Sequence, residues 1–342
     1  MFFLYFLLCF SIFVPIYTYA LYPFVLRLFS KKNFRTNSSY IPSVSIFIMS
    51  EDDNHIQDKI ENLKKSDYQN IEHILVIHCR TELSKQIKCS QSEVIVFTDI
   101  SSEYESSSIT NLVKGLFDEK VGCVCGILRK KPNENGKLQD SANWVYENKI
   151  KILESNIGYL SGANSAIYAV KRELLPHIVY DNINIDFYFS TYITQSGYYT
   201  LFTPSAVAYE TLYKKNSEIF NKHIRDSVSA YISIVLFWHL LLCRKRGFVY
   251  VSHRVLKWIV PFNLILLLSI PMILSLSNSF FKFFVVLQII GYLFITLYHF
   301  EFVKKNRDID GVFGKLVSFV HYFIELNYAM LRGFICCVTH KM

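Results

Sequence analysis

Residues 93–129 have the sequence EVIVFTDISSEYESSSITNLVKGLFDEKVGCVCGILR. Residues 93–99 form an apolar run rich in β-branched side chains, which is typical of a buried strand, and this run ends at the polar Asp99. Residues 108–118 have a helical pattern, and residues 121–129 form a second apolar run. The stretch therefore predicts a strand, a helix and another strand.

The same alternation continues on both sides of this stretch. Upstream, apolar strands are predicted at 44–50 and 73–79, around a helix at 56–66 whose residues Ile56, Ile60 and Leu63 share one face. Downstream, a helical stretch and the loop LSGANS precede a strand at 165–170. Alternating strands and helices predict an α/β fold with a largely parallel sheet, and ligands of such sheets bind at the carboxyl ends of strands, where Asp99 lies.

The composition indicates membrane segments as well. Hydrophobic residues make up 51% of the 342 residues and concentrate at both ends of the chain. We therefore predict three domains: an N-terminal membrane anchor at 1–30, a cytoplasmic α/β domain at 31–226, and an interface helix with C-terminal transmembrane helices at 227–342.

The apolar stretch 2–29 is long enough to span a bilayer, although a cleaved signal peptide is the alternative interpretation. The Lys and Arg residues that flank the apolar stretches place the central domain on the cytoplasmic side of an inner membrane, in a multi-pass protein. An amphipathic interface helix or a span is predicted at 227–243, and a span or an interfacial helix at 316–338. Two further spans, forming a hairpin, are predicted at 258–276 and 280–300.

The net charge of +8 does not indicate a nucleic-acid partner. Many basic residues lie beside apolar stretches, as in Arg244–Arg246, rather than among aromatic residues on one face. The eight cysteines include no C-x-x-C pair that would suggest a zinc site.

Several stretches resemble the family-two glycosyltransferases of the membrane-bound, processive type, which includes cellulose, hyaluronan and poly-N-acetylglucosamine synthases. The resemblance runs from Pro42 almost to the C-terminus. It implies a GT-A-type nucleotide-sugar-binding fold and transfer of a sugar from a nucleoside diphosphate sugar. Its most specific stretches are FTDISSEYESSSITNLVKGLFDEKVGCVCG, GANSAIYAVKRELL, NIDFYFSTYITQSGYYTLFTPSAVAYE, SHRVLKWIVPF and YFIELNYAMLRGF.

The resemblance assigns the donor site to Asp99 and Ser101. The family has Asp-x-Asp at this point, where the carboxylates bind the nucleotide diphosphate and its metal, and here the sequence is Asp99-Ile100-Ser101. Mg²⁺ or Mn²⁺ is the implied cofactor, because hard cations prefer oxygen ligands. Ser101 is a weaker ligand than a carboxylate, and Glu103 is a candidate substitute. The alternative is that Asp99 only caps a turn.

The resemblance also assigns Asp186 and Arg225. Asp186 stands where the family has the base that deprotonates the acceptor, and an apolar setting would raise the pKa of this carboxyl as a base requires. The alternative is an aspartate at a helix N-terminus. Arg225 is the surviving residue of the family's Gln-x-x-Arg-Trp motif, which holds the donor diphosphate, but it could equally be a positive flank of a membrane helix.

Two functions therefore stay open. The first is a membrane-bound inverting glycosyltransferase that transfers a sugar to a glycan or lipid-linked acceptor in polysaccharide biosynthesis, in contact with membrane lipid. The second is a catalytically inactive relative that acts as a scaffold or partner subunit of an envelope polysaccharide complex. The second is favoured by Ser101 and by His78-Cys79-Arg80, which replace the family's Asp-x-Asp carboxylate and its Asp-Gly-Ser.

Overall fold

The computed structural model describes residues 1–29, 31–50, 54–131, 142–176, 180, 182–211, 216–305 and 312–339. The chain divides into two compact units. We call Pro23–Lys214 with Ser233–Val251 the sheet unit, and Met1–Tyr22, Lys215–Ile232 and Ser252–Met342 the helical unit. The predicted domain bounds at 30/31 and 226/227 stay predictions.

The described residues contain both strands and helices. The strands are β1 Val44–Met49, β2 Ile71–Ile77, β3 Val94–Asp99, β4 Ser102–Tyr104, β5 Val121–Lys130, β6 Ile167–Lys171 and β7 Tyr199–Glu210. The α-helices are α1 Phe2–Ile16, α2 Tyr22–Leu26, α3 Ile56–Lys64, α4 Arg80–Cys89, α5 Ser108–Gly115, α6 Ala142–Ile157, α7 Ile185–Gln195, α8 Asn216–Leu236, α9 Arg244–Tyr250, α10 Leu256–Leu274, α11 Ser279–Lys305 and α12 Val312–Thr339.

The seven described strands form one mixed sheet in the order β2-β1-β3-β6-β5-β7-β4. Three neighbouring pairs are parallel, β1 with β2, β1 with β3, and β5 with β7. The other three pairs, β3 with β6, β5 with β6, and β4 with β7, are antiparallel. The predicted α/β class is confirmed, but the prediction of a largely parallel sheet is wrong, because β6 runs against both of its neighbours.

Helices cover both faces of this sheet. On one face, Ile46 and Val96 belong to a buried cluster that includes Ile109 and Leu112 of α5. On the other face, the Phe97 ring centroid lies 4.8 Å from that of Tyr168 and 5.4 Å from that of Phe189 on α7. Aromatic packing of this kind adds to the burial of apolar area. It fixes α7, which carries Asp186, against β3, which ends at Asp99.

The far end of α7 is held by α9 within the sheet unit. Nη1 of Arg246 donates hydrogen bonds to the carbonyl oxygens of Thr194 and Gln195, at 2.9 and 3.0 Å. A cation at the last carbonyls of a helix satisfies acceptors that have no partner inside the helix and complements the helix dipole. The helix that carries Asp186 is therefore anchored by its packing and by this cap.

Two described helical stretches, Phe2–Leu26 and Arg244–Leu274, are long and apolar enough to cross a membrane by length and composition. Core helices of soluble proteins and signal sequences meet the same criteria, so membrane crossing stays a prediction. Helices α10, α11 and α12 lie within a few residues of the predicted spans, whereas the predicted interface helix at 227–243 is interrupted. There, α8 ends at Leu236 and a 3₁₀ helix, Trp238–Leu242, follows.

Candidate active site

Asp99 ends β3 and caps the turn that follows it. Its Oδ1 accepts hydrogen bonds from the backbone N–H of Ser101 at 3.0 Å and from Ser101 Oγ at 2.8 Å. Within the described part of the chain, no group donates a hydrogen bond to the second carboxylate oxygen, Oδ2. Asp99 therefore caps the turn through one oxygen, and its other oxygen is not used by the turn.

The residues after this turn fasten it to the start of β6. Ser102 Oγ lies 2.8 Å from the carbonyl oxygen of Asp99 and 3.3 Å from that of Ala166. The hydroxyls of Thr98 and Tyr104 also donate to the carbonyl oxygen of Ala166, each at 3.1 Å. Since a carbonyl oxygen has two lone pairs, this acceptor is fully used by side chains.

Asp186 lies in the first turn of α7 and is half-buried. One turn further along, Ser190 Oγ donates to the carbonyl oxygen of Asp186 at 2.7 Å and accepts the backbone N–H of Ala163 at 3.0 Å. Ala163 and Ala166 belong to the loop 161–166, and three residues span at most about 11 Å. The segments that carry Asp99 and Asp186 are therefore attached to one short loop, at positions three residues apart.

The two aspartates also act electrostatically on neighbouring buried groups. Burial raises the pKa of the Tyr168 hydroxyl, and the carboxylate of Asp186 raises it further. Burial likewise raises the pKa of Tyr104; a hydrogen bond with Thr98 lowers it, and Cys125 and Asp99 raise it. Cys125 accepts the backbone N–H of Asn164, from the loop that joins the two segments, at 3.1 Å. Asp99 and Asp186 thus border one group of buried side chains.

The donor set at the turn fits a hard cation in part. Asp99 Oδ2 accepts no hydrogen bond from the described residues and is the carboxylate oxygen that could bind a cation, whereas Oδ1 and Ser101 Oγ are joined to each other by a hydrogen bond of 2.8 Å. Among the described residues, no three His, Cys, Asp or Glu side chains come together as a metal site. A cation bound here would take its other oxygen ligands from a bound substrate and from water.

Other predicted residues are placed differently. Glu103 forms an ion pair with Lys131, so its carboxylate has a partner other than a metal. Arg225 is exposed on α8 in the helical unit, and its role in donor binding stays a prediction. Arg80, in the stretch that replaces Asp-Gly-Ser, donates to the carbonyl oxygen of Tyr180 at 3.2 Å.

Lys59 lies behind the Asp99 turn, although no motif in the sequence marks it. It is 3% exposed, and its Nζ donates to the carbonyl oxygen of Ser102 and lies 3.1 Å from Ser102 Oγ. Burial lowers the pKa of Lys59 to about 7, while the nearby Asp99 and Glu103 carboxylates raise it and so offset part of the shift. The sequence contains a signal for this position, because Lys59 lies three residues after Ile56 and four before Leu63, on the apolar face of α3.

The pKa of Lys59 predicts how stability depends on pH. In an unfolded chain a lysine titrates at about 10.4, whereas the folded value is about 7. Between these values the unfolded chain binds more protons, so the free energy of unfolding rises with pH from about 7 to about 10. Lys59→Met should lack this rise. The test is the difference in apparent Tm between the two proteins across this range, and a difference that is independent of pH would contradict the prediction.

No protein-family model matches the chain, and no curated protein matches it in sequence. Among solved structures, the mannosyltransferase PcManGT from Pyrobaculum calidifontis, in complex with GDP-Man and Mn²⁺, matches with a TM-score of 0.69 at 16% identity. The match covers 98% of this chain and 100% of that chain. GalNAc-T7 with UDP, GalNAc and Mn²⁺ matches more loosely, with a TM-score of 0.36 at 12% identity over 57% of this chain and 48% of that chain. The chain therefore has the fold of GT-A-like glycosyltransferases.

Proposed function

We propose that this chain is a membrane-bound inverting glycosyltransferase that moves a sugar from a nucleoside diphosphate sugar to a glycan or lipid-linked acceptor. One observation carries the proposal. The turn that begins at Asp99 and the helix that begins beside Asp186 are fastened to the same loop, through Ala166 and Ala163. A displacement in one step needs the donor-binding group and the acceptor base to be held near each other, and this shared attachment supports that arrangement.

In this reaction Asp186 is the general base. The hydroxyl oxygen of the acceptor attacks the anomeric carbon as the bond from that carbon to the diphosphate oxygen breaks, and the hydroxyl proton passes to the carboxylate of Asp186. Attack from the face opposite the leaving group inverts the anomeric configuration. The half-buried position of Asp186 supports this role, because partial exclusion of water strengthens its interaction with the acceptor hydroxyl.

Asp99 and Ser101 bind the diphosphate end of the donor. In this proposal their oxygens hold Mg²⁺ or Mn²⁺, which would neutralise charge on the leaving diphosphate. PcManGT was solved with GDP-Man and Mn²⁺, which supports a nucleoside diphosphate sugar and a divalent cation as ligands of this chain too. Arg225 is proposed as a further contact of the diphosphate.

The apolar helices support the proposed acceptor and location. Phe2–Leu26 and Arg244–Leu274 support attachment to a membrane, and the basic residues beside them support a cytoplasmic sheet unit at the inner membrane. Such an enzyme reaches lipid-linked acceptors and growing glycans at the bilayer surface, which supports a role in polysaccharide biosynthesis.

The experiment is a donor screen with the full chain in detergent or nanodiscs. UDP-, GDP- and dTDP-sugars, GDP-mannose among them, are incubated with Mn²⁺ or Mg²⁺, and release of the nucleoside diphosphate is measured with and without EDTA. The expected result is release from one donor class that depends on the cation.

Absence of both turnover and donor binding at millimolar concentrations would overturn the proposal. It would favour the alternative function, a catalytically inactive scaffold or partner subunit of a polysaccharide complex, for which the serine at position 101 is the supporting observation.

A further inference from the structure

A buried lysine lies directly behind the donor turn. Lys59 is 3% exposed and Ser102 is 2% exposed, so their contact is closed to solvent. The lysine also lies 4.3 Å from the ring centroid of Tyr104, close enough for a cation–π interaction. Lysine is rarely buried without a specific partner, and among the described residues the hydrogen bonds and the cation–π contact of the Lys59 ammonium group are with Ser102 and Tyr104.

These contacts place Lys59 in the network that fixes the Asp99 turn. Lys59 holds Ser102 through both its carbonyl oxygen and its hydroxyl. Ser102 in turn reaches the carbonyl oxygens of Asp99 and Ala166. Asn62, one turn after Lys59 on α3, supports the same segment, because its side chain bonds to both the N–H and the carbonyl oxygen of Tyr104 at 2.8 and 2.9 Å.

We infer that Lys59 is a positioning residue of the donor site, which holds the Asp99–Ser102 turn in the conformation that binds the nucleotide diphosphate. Lys59 itself is buried and acts on the donor through Ser102 and Asp99. The inference rests on the proposed function, since it assigns donor binding to this turn.

The effect of Lys59→Met on Tm distinguishes positioning of the turn from a general contribution to stability. A buried cation is costly to desolvate, and replacing buried charged groups by apolar residues of similar volume is often neutral or stabilising. Lys59→Met should therefore keep or raise Tm near neutral pH. Without Lys59 the turn samples other conformations. The apparent donor affinity then falls in proportion to the fraction of molecules whose turn keeps the donor-binding conformation.

The test compares Lys59→Met with wild type in the full chain. For the donor identified in the screen, KM for the donor is expected to rise by about tenfold, as for loss of one hydrogen bond to a charged group, while KM for the acceptor stays unchanged. Hydrogen exchange of peptides covering 98–104 should become faster, and exchange in β5 should not change. The matched control is Lys64→Met, which removes an exposed lysine from the same helix.

Unchanged donor KM and unchanged exchange at 98–104 would overturn the inference, as would a general fall in Tm with all kinetic constants impaired together. If Lys59→Met does not fold, Ser102→Ala replaces it, with the same expected changes. If wild type turns over no donor, the proposed function fails by itself. The exchange of 98–104 in Lys59→Met then still decides whether Lys59 holds the turn.

Discussion

Asp186→Asn is expected to fold like wild type and to lose glycosyl transfer by about 10²- to 10⁴-fold, the usual contribution of a positioned general base. Asparagine has the size of aspartate but cannot take the proton of the acceptor hydroxyl. The measurement is the initial rate of nucleoside diphosphate release at saturating donor and acceptor, with Tm recorded on the same samples. Donor binding should be retained, because Asp186 acts on the acceptor.

Asp58→Asn provides the matched control. Asp58 also lies in the first turn of a helix, α3, and its side chain is 81% exposed. If an aspartate in a first turn mattered only through the helix dipole, the two variants would behave alike, with small losses of stability and full activity. Full kcat in Asp186→Asn would rule out the base assignment.

Asp99→Asn is expected to raise the Mn²⁺ concentration needed for half-maximal activity by about 100-fold or more, since residues that only support a metal ligand already contribute about 10- to 100-fold. The amide oxygen can still accept the two bonds from Ser101, so the turn is kept while its negative charge is lost. The measurement is the initial rate as a function of Mn²⁺ at fixed donor.

Asp118 supplies the control for turn capping. Its Oδ1 accepts the backbone N–H of Lys120 at 3.0 Å, the same two-residue step as from Asp99 to Ser101. Asp118→Asn should leave the Mn²⁺ dependence unchanged. An Asp99→Asn protein that behaves as Asp118→Asn does would mean that Asp99 is only a turn residue, and the assigned donor site would be wrong.

The local elements of the sheet unit were largely predictable from sequence. The apolar runs at 44–50, 73–79 and 93–99 correspond to β1, β2 and β3, because each is short, β-branched and bounded by polar residues. Asp99 falls at a strand end for the same reason. Strand positions and strand ends depend mainly on residues close together in the chain, so the pattern of apolar and polar residues predicts them.

Strand direction and irregular pairing were not predictable. A strand buried on both faces has the same apolar pattern whichever way it runs, so nothing in residues 165–170 distinguishes the antiparallel β6 from a parallel strand. β7 contains Pro204, which argues against a strand interior. The structure accommodates it because the pairing of β7 with β5 is irregular between Cys125 and Ile127, and residues 204–205 are exposed there.

The candidate site was predictable only where it resembles a known motif. Lys59 follows no motif, and its partner Ser102 is 43 residues further along the chain. The helical pattern shows that Lys59 lies on an apolar face, but it does not identify Ser102 as the partner that explains its burial. Whether Asp99, Ser101, Asp186 and Arg225 act as assigned stays a prediction, which the variants above test for Asp99 and Asp186.

The carbonyl oxygen of Ala166 joins Thr98, Ser102 and Tyr104. The acceptor that joins these three side chains is a backbone carbonyl, which every residue of a chain possesses. Alanine scanning would report nothing here, since the residue is already alanine, and a survey of related sequences would allow any small side chain. Only chemistry that alters the main chain, such as an amide-to-ester exchange that weakens this acceptor, would reveal how much the Asp99 turn depends on it.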